Sequence, residues 1–113
     1  MCIRDSSYQS AINAQVAGAH RIELCSELSV GGVTPSPILL KKVMADIKIP
    51  VHVLIRPRSG NFTYSYIEFD IIKENIRICK DLNCAGIVSG VLHEDNSIDI
   101  KRTSELILSL IHI

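Results

Sequence analysis

Apolar residues follow two different spacings along the chain, and the two alternate in a regular order. Apolar residues three or four positions apart, as on one face of a helix, follow Ser7, Ser36, Ser65 and Asp99. Between these stretches lie short runs of alternating or continuous apolar residues, at positions 21–25, 51–55 and 84–92. The order helix–strand–helix–strand–helix–strand–helix repeats about every thirty residues, which is the size of a βα unit. Apolar strands that alternate with helices predict a parallel sheet.

Residues at the ends of the helical stretches support these boundaries. The side chains of Ser7, Ser36, Ser65 and Asp99 can accept hydrogen bonds from a first helical turn. Pro37 suits the first helical position, and Ser65 begins a Ser-x-x-Glu capping box. Gly18 and Asn83 suit helix ends. The predicted buried face of the third helix comprises Ile67, Ile71, Ile72, Ile76 and Cys79.

Both an open doubly wound sheet and a closed barrel would show this alternation, and two features favour the barrel. Each strand leads at its carboxyl end into polar or glycine-rich sequence, namely CSELSVGG, RPRSGN and SGVLHEDN. Polar residues also occupy alternate strand positions, as inward-facing barrel residues often do. The predicted fold class is therefore α/β, as part of a TIM (β/α)₈ barrel, because three strands cannot close one. No linker interrupts the pattern, so we predict a single domain over residues 7–107.

The two ends of the chain have a separate explanation. Residues 1–5 and 108–113 can be read as translations of one DNA element in opposite orientations, and that element resembles the transposase end used to prepare sequencing libraries. We therefore expect both segments to be encoded by an adapter, and we leave them out of the fold prediction. On this interpretation the natural protein continues beyond both ends.

Composition restricts the classes of function. Lys plus Arg equals Asp plus Glu at 12 each, so the formal net charge is zero, which argues against nucleic-acid or anionic-membrane partners. No apolar run has the length of a membrane span, and we expect no signal peptide. Four cysteines at irregular spacing do not resemble a disulfide framework. A reducing cytoplasm is therefore the expected location.

The first candidate site lies on the strand at positions 21–25. Arg21, Glu23 and Cys25 share one face by the period-two rule. If that face points into a barrel, Glu23 and Cys25 approach its mouth, where they could ligate a soft metal or act as base and nucleophile. Alternatively, Cys25 is a buried small apolar residue and Glu23 pairs with an arginine.

The second candidate site follows the next strand, where Arg56 and Arg58 flank a proline. Two guanidinium groups on one side of a strand end could grip a phosphate or a carboxylate with forked donors. The alternative is a structural ion pair with Glu23, and both arrangements can hold at once. Ser36, near the double glycine at positions 31–32, could add a hydroxyl at a helix N-terminus to such an anion site.

The remaining cysteines and histidines are predicted to be structural. Cys79 and Cys84 lie at a helix end and a strand start, and without paired CxxC motifs a zinc site is not expected. We predict that both pack in the core. His52 lies within a strand and is predicted to be an interior histidine, whereas His93 lies in an acidic turn and is predicted to be solvated.

Three stretches of the chain together resemble the CutC family, known as copper homeostasis proteins: GAHRIELCSELSVGGVTPS, IPVHVLIRPRSGNFTYS and GIVSGVLHEDNSID. The resemblance extends from about residue 7 to residue 107. It implies a (β/α)₈ barrel of which this chain is the first half, and a cytoplasmic protein that handles copper. Copper(I) as the bound ion would suit a thiolate ligand.

The resemblance also bears on particular residues. Cys25 matches one of the two cysteines proposed to bind copper in the family, whereas Arg4 stands at the place of the other and Cys2 at the place of a glutamate. Two hypotheses follow. The first is a copper-binding homeostasis protein with Cys25 as ligand. The second is a barrel enzyme that acts on a phosphorylated or carboxylated metabolite, with Glu23 as acid/base and Arg56, Arg58 and Ser36 as the anion clamp. In either case the full-length protein is expected to form a homo-oligomer.

Overall fold

The computed structural model describes residues 2–111, with only the backbone described at positions 2, 3, 5, 110 and 111. Four strands alternate with four helices. The strands are β1 (Cys2–Asp5), β2 (Arg21–Leu24), β3 (Val51–Leu54) and β4 (Gly86–Val88). The helices are α1 (Tyr8–Val16), α2 (Pro37–Asp46), α3 (Tyr66–Asp81) and α4 (Ile100–Ile111), and a 3₁₀ turn covers Leu28–Val30.

All neighbouring strands are parallel, and their order in the sheet is β1-β2-β3-β4, the same as in the chain. One row across the sheet aligns Arg4 with Glu23, Glu23 with His52, and His52 with Gly86. The residues beside this row, such as Ile22 and Val53, point to the other face and are fully buried. The predicted α/β fold, a partial barrel with parallel strands, is confirmed.

The predicted helix starts are confirmed. Ser7, Ser36 and Ser65 each accept a backbone N–H from the first turn of the helix that follows, and Asp99 accepts one from Arg102. At α3 the capping box is complete, because Ser65 N–H also donates to Glu68 Oε1 at 2.9 Å. Such a cap satisfies N–H groups that the helix itself leaves without partners.

The predicted buried face of α3 is partly wrong. Ile72, Ile76 and Cys79 are buried as expected, and Phe69 joins them. Ile67 is 74% exposed and Ile71 is 45% exposed. At about 100° of rotation per residue, positions 67 and 71 lie roughly half a turn away from the face formed by positions 69 and 76. The buried face of α3 is therefore the one that carries Phe69, and Ile67 and Ile71 face outward.

The strands also differ from the predicted ones in length. The predicted strand at 84–92 is wrong in its extent, because β4 ends at Val88 and Leu92 instead forms an isolated antiparallel bridge with Ile98. No element is predicted at positions 1–5 and 108–113, yet residues 2–5 form β1 and residues 108–111 form the last turn of α4. Their adapter origin stays a prediction, and positions 1, 112 and 113 lie outside the described residues.

Candidate functional site

A cavity of about 450 Å³ opens at the carboxyl ends of the strands, and we call it the mouth. It is lined by Arg4, Glu23, Leu54, Ile55, Arg56, Phe62, Val88, Ser89, Gly90 and Leu92. Parallel α/β sheets bind their ligands at this end, because the loops after the strands meet there. A second cavity, of about 500 Å³, lies between α3 and α4 and is lined by none of the predicted site residues.

Glu23 lines the mouth as predicted and forms an ion pair across the sheet. Its Oε1 lies 3.3 Å from Nε of Arg4, the residue beside it on β1. The same guanidinium donates from Nη2 to the carbonyl of Gly31 at 2.9 Å. Arg4 thus joins the acid on β2 to the loop that follows it. The expected pairing of Glu23 with an arginine is present, and the partner is Arg4.

The loop after β2, residues 26–33, closes over the strand end and we call it the glycine loop. Ser26 and Val33 exchange backbone hydrogen bonds of 2.9 and 2.8 Å at its base. Gly31 and Gly32 have φ angles of 89° and 95°, which L side chains rarely adopt. The double glycine therefore allows the chain to turn back across the mouth toward α2.

Cys25 does not line the mouth with Glu23. It lies one residue beyond the end of β2, is fully buried, and packs beneath Gly32. A Cβ placed on Gly32 would lie 3.3 Å from Cys25 Cβ and 2.9 Å from Leu54 Cδ2. The expectation that Cys25 behaves as a buried small residue agrees with this position.

Arg56 lines the mouth, and most of its donors already have protein partners. Nη1 donates to the carbonyls of Val30 and Gly32 at 2.9 and 3.0 Å, and Nη2 donates to the carbonyl of Gly60 at 2.8 Å. The guanidinium lies over the ring of Phe62, 5.0 Å from its centroid. Its Nε is buried and finds no hydrogen-bond partner among the described residues. Arg56 therefore ties the glycine loop to the loop after β3.

Arg58 lies in different surroundings and is absent from the lining of the mouth. Its Nε donates to Glu68 at 2.6 Å, and further donors reach the carbonyls of Asn61 and Thr63 at 2.8 and 2.7 Å. The guanidinium also lies 5.0 Å from the centroid of the Tyr64 ring. Arg56 therefore lines the mouth and Arg58 does not, so the two guanidinium groups do not form one anion clamp there. The ion pair of Arg58 is formed with Glu68, the glutamate of the Ser-x-x-Glu motif, where the sequence alternative had named Glu23.

The pKa values of two groups close to these arginines are shifted, in each case by a different cause. Burial raises the pKa of the Tyr64 phenol, although the charges of Arg56 and Arg58 oppose the shift. The pKa of Glu68 is lowered, first by the backbone N–H of Ser65 and then by the guanidinium of Arg58. Hydrogen bonds to a carboxylate favour its charged form, so Glu68 is held as an anion at the start of α3.

Ser36 acts as the cap of α2 and does not reach the mouth. Its Oγ accepts the N–H of Leu39 at 3.2 Å, and its backbone adopts an extended conformation before Pro37. The hydroxyl oxygen is thus engaged with the helix that it begins. The four predicted residues therefore fall into two groups. Glu23 and Arg56 line the mouth, whereas Arg58 and Ser36 stabilise the starts of nearby helices.

His52 and Ser89 are not among the predicted site residues. His52 lies in the row beside Glu23, and its imidazole occupies the space above Gly86, where a Cβ would lie 2.8 Å from Nδ1. Ser89 lines the mouth and donates from Oγ to the carbonyl of Ile55 at 2.9 Å. The glycine at the start of β4 was a usable signal, since glycine in a strand often marks a close approach.

Within the described part of the chain, no three or more His, Cys, Asp or Glu side chains are grouped so that they could hold a metal ion. None of the helices in residues 2–111 is long and apolar enough to cross a membrane. The polar groups that line the mouth are the ion pair of Arg4 and Glu23, the guanidinium of Arg56 and the hydroxyl of Ser89, and the thiol of Cys25 lies beneath the glycine loop.

The strand order and the mouth define the class of protein as a (β/α) barrel of the TIM type, present here in part. The CutC family model matches residues 1–110, and the chain belongs to the CutC family. A crystal structure of CutC from Streptococcus agalactiae superposes with a TM-score of 0.89 at 31% sequence identity, covering 99% of this chain and 55% of that one.

Curated relatives give the same result. The human copper homeostasis protein cutC homolog is 49% identical over 107 residues, which are 95% of this chain and 38% of the relative. A CutC family protein of Serratia proteamaculans is 44% identical over 100 residues, which are 88% of this chain and 40% of the relative. The chain thus spans about two-fifths of the length of these relatives. The resemblance identified from the sequence is confirmed.

Proposed function

We propose that this chain is the N-terminal half of the barrel of a cytoplasmic CutC protein that acts in copper homeostasis, with Cys25 as a ligand of copper(I). The observation that carries the proposal is the match to relatives named copper homeostasis proteins. Cys25 supports it, because a thiolate is the ligand that copper(I) prefers. It lies just beyond the end of β2, directly below the glycine loop.

The described residues do not by themselves fit a complete copper(I) site. Cys25 supplies one thiol, and the side chain next to it is the guanidinium of Arg4: both would be within 3.3 Å of a Cβ on Gly32. A guanidinium has no lone pair to offer and repels a cation. Arg4 stands where the family resemblance puts its second cysteine. We therefore expect weak binding by this chain and a strong gain when a thiol replaces Arg4.

A copper(I) titration against a chromophoric chelator under anaerobic conditions tests this proposal. The starting variant carries Cys2→Ser, Cys79→Ala and Cys84→Ala, which leaves Cys25 as its one cysteine. Arg4→Cys in this variant should withdraw one copper(I) per chain from the chelator, and adding Cys25→Ser should abolish the gain. Arg21→Cys is the matched control, because it places a thiol on β2 at an exposed position. Equal binding with and without Cys25 would refute its role as ligand.

We propose as a second candidate that the mouth belongs to an enzyme acting on a small phosphorylated or carboxylated metabolite. The observation that favours it is that Glu23 and Arg56 line the same cavity of about 450 Å³. Glu23 would be the acid/base. Arg56 would bind the anion with Arg4, whose side chain is 45% exposed. Arg58 and Ser36 would act at a distance, by holding the loop after β3 and the start of α2.

Thermal unfolding in the presence of phosphate, sugar phosphates and dicarboxylates tests the second candidate. A ligand that binds the folded state should raise the midpoint of unfolding, and Arg56→Lys should reduce the increase. Arg77→Lys is the matched control, because Arg77 lies exposed on α3 and does not line the mouth. If no ligand shifts the midpoint at millimolar concentration, or if both variants reduce the shift equally, this candidate is wrong.

A further inference from the structure

The carboxyl end of α3 is a Schellman motif whose two packed positions are both cysteine. Cys84 N–H donates to the carbonyl of Cys79 at 3.0 Å, and Asn83 N–H donates to the carbonyl of Lys80 at 3.0 Å. Asn83 has the left-handed φ of 60° that this motif requires. In such a motif, the side chains at the two ends of the longer hydrogen bond pack against each other.

The end of α1 has the same motif with a different pair of packed residues. Ala19 N–H donates to the carbonyl of Ala14 at 3.1 Å, Gly18 N–H donates to the carbonyl of Gln15 at 3.1 Å, and Gly18 has a φ of 91°. The packed pair there is Ala14 and Ala19, which are 5% and 4% exposed. The same geometry at α3 places two thiols where α1 has two methyl groups.

The two thiols differ in access and in ionisation. Cys79 is 2% exposed, whereas Cys84 is half-buried. They hydrogen-bond to each other, so that the pKa of Cys84 is lowered and the pKa of Cys79 is raised, the latter also by burial. A thiolate is the reactive form of cysteine, and an attacking thiol must be reached by its oxidant. Cys84 therefore has the properties of an attacking thiol, and Cys79 those of a resolving thiol.

We propose that Cys79 and Cys84 form a reversible redox site, in which a disulfide joins the end of α3 to the residues that begin β4. The oxidant is a small-molecule disulfide such as oxidised glutathione. The Cys84 thiolate attacks one sulfur of the oxidant and displaces one thiolate, which leaves a mixed disulfide on Cys84. Cys79 then loses its proton and attacks Cys84 Sγ, displacing the second thiolate. Two protein thiols are oxidised, one disulfide is reduced to two thiols, and these carry away the two protons.

Two features of the structure make this site suitable for disulfide formation. The backbone hydrogen bond from Cys84 to Cys79 already fixes the two residues side by side, so that the sulfur atoms can approach a bond length of about 2.05 Å by side-chain rotation. The site is also separate from Cys25. Cys84 lies before the amino end of β4, whereas Cys25 lies beyond the carboxyl end of β2. Because the strands are parallel, the two residues lie at opposite ends of the sheet along the strand direction. The proposal therefore stands whether or not Cys25 binds copper.

The experiment uses the whole chain with Cys2→Ser, incubated in mixtures of reduced and oxidised glutathione, blocked with iodoacetamide and digested with trypsin. Trypsin cuts after Arg77, Lys80 and Lys101, so that a disulfide links peptide 78–80 to peptide 81–101. We expect this linked pair to appear as oxidised glutathione increases, in protein that migrates as a monomer on a non-reducing gel. Recovery of the two peptides only in separate form, or linked only in dimers, would overturn the proposal.

Two matched variants test the roles of the two thiols. In Cys79→Ala the resolving thiol is gone, so glutathione should accumulate on Cys84. In Cys84→Ala, Cys79 is buried, as is Cys25, so Cys79 should stay unmodified while the protein is folded, as checked by circular dichroism. Equal uptake of glutathione by the two variants would contradict the assigned order of attack. The linked peptides in the chain that retains both cysteines test the disulfide itself, even if a variant fails to fold.

Discussion

Replacing Gly32 with alanine tests how closely the glycine loop packs over the strand ends. Gly32 has a φ of 95°, and a Cβ there would lie 2.9 Å from Leu54 Cδ2, 3.1 Å from Arg4 Nη2 and 3.3 Å from Cys25 Cβ. The substitution therefore has two separate costs. The backbone would hold an L residue in a left-handed conformation, and the added methyl group would crowd a buried contact between the loop and β3.

Two other glycines separate these costs. Gly18 has a φ of 91° with no atom within 4 Å of its Cβ position, so Gly18→Ala measures backbone strain alone. In Gly86→Ala the new Cβ would lie 2.8 Å from Nδ1 of His52, so this variant measures crowding without a left-handed φ. The left-handed backbone conformation of an alanine lowers the free energy of unfolding by about 1–3 kcal/mol. About 0.4–1 kcal/mol of this loss is recovered, because alanine reduces the conformational entropy of the unfolded chain. Crowding costs about 1–3 kcal/mol. We therefore expect Gly32→Ala to lower the free energy of unfolding by about 2–4 kcal/mol, and Gly18→Ala by about 1 kcal/mol.

Urea unfolding followed by circular dichroism measures these differences in the free energy of unfolding. Thermal unfolding gives a second reading, since each 1 kcal/mol shifts the midpoint by about 4–8 °C in a domain of this size. If Gly32→Ala costs no more than Gly18→Ala, the loop does not pack against Leu54 and Cys25 as described. In that case, Cys25 would not lie beneath the glycine loop either.

Two further predictions concern α3. Ile72→Ala should lower the free energy of unfolding in urea by about 2–5 kcal/mol, because the side chain is fully buried. Ile67→Ala, at a 74% exposed position, should change this free energy by less than about 0.5 kcal/mol. Equal effects of the two substitutions would contradict the assignment of the buried face of α3. The lowered pKa of Glu68 means that its stabilisation is complete above the ordinary value of 4.5 and is lost as the pH falls through the lower folded-state pKa. Glu68→Gln should therefore flatten the fall of stability below about pH 5 in urea titrations, and a profile identical to that of the unaltered chain would refute the role of Glu68.

Helix starts could be predicted from the sequence because they depend on neighbouring residues. The groups that form a helix cap lie within about four positions of each other, because one side chain accepts hydrogen bonds from the N–H groups of the turn that follows it. Ser7, Ser36, Ser65 and Asp99 are all confirmed as caps for this reason. The alternation of helices and strands was likewise sufficient to predict the parallel sheet, because each βα unit carries its own pattern.

Features that depend on distant partners could not be predicted in this way. The rotation of α3 is set by what it packs against, so the choice between Ile67 and Phe69 as the buried residue was not visible in its own spacing. Arg58 faces Glu68 because the loop after β3 folds back on the helix start. Cys25 was assigned to the face of Glu23 by alternation, but β2 ends at Leu24 and the rule stops with the strand.

The order of the strands in the sheet has a consequence for how the protein is made. Each strand pairs with the one that precedes it in the chain, and one helix covers each step between them. During synthesis, every new strand therefore emerges from the ribosome next to a partner that has already been made. Each of these pairings closes a single βα unit, since the paired residues lie 19, 29 and 34 positions apart, from Cys2 to Arg21, from Ile22 to Val51 and from His52 to Gly86. Within the described part of the chain, the sheet can therefore grow one unit at a time during translation.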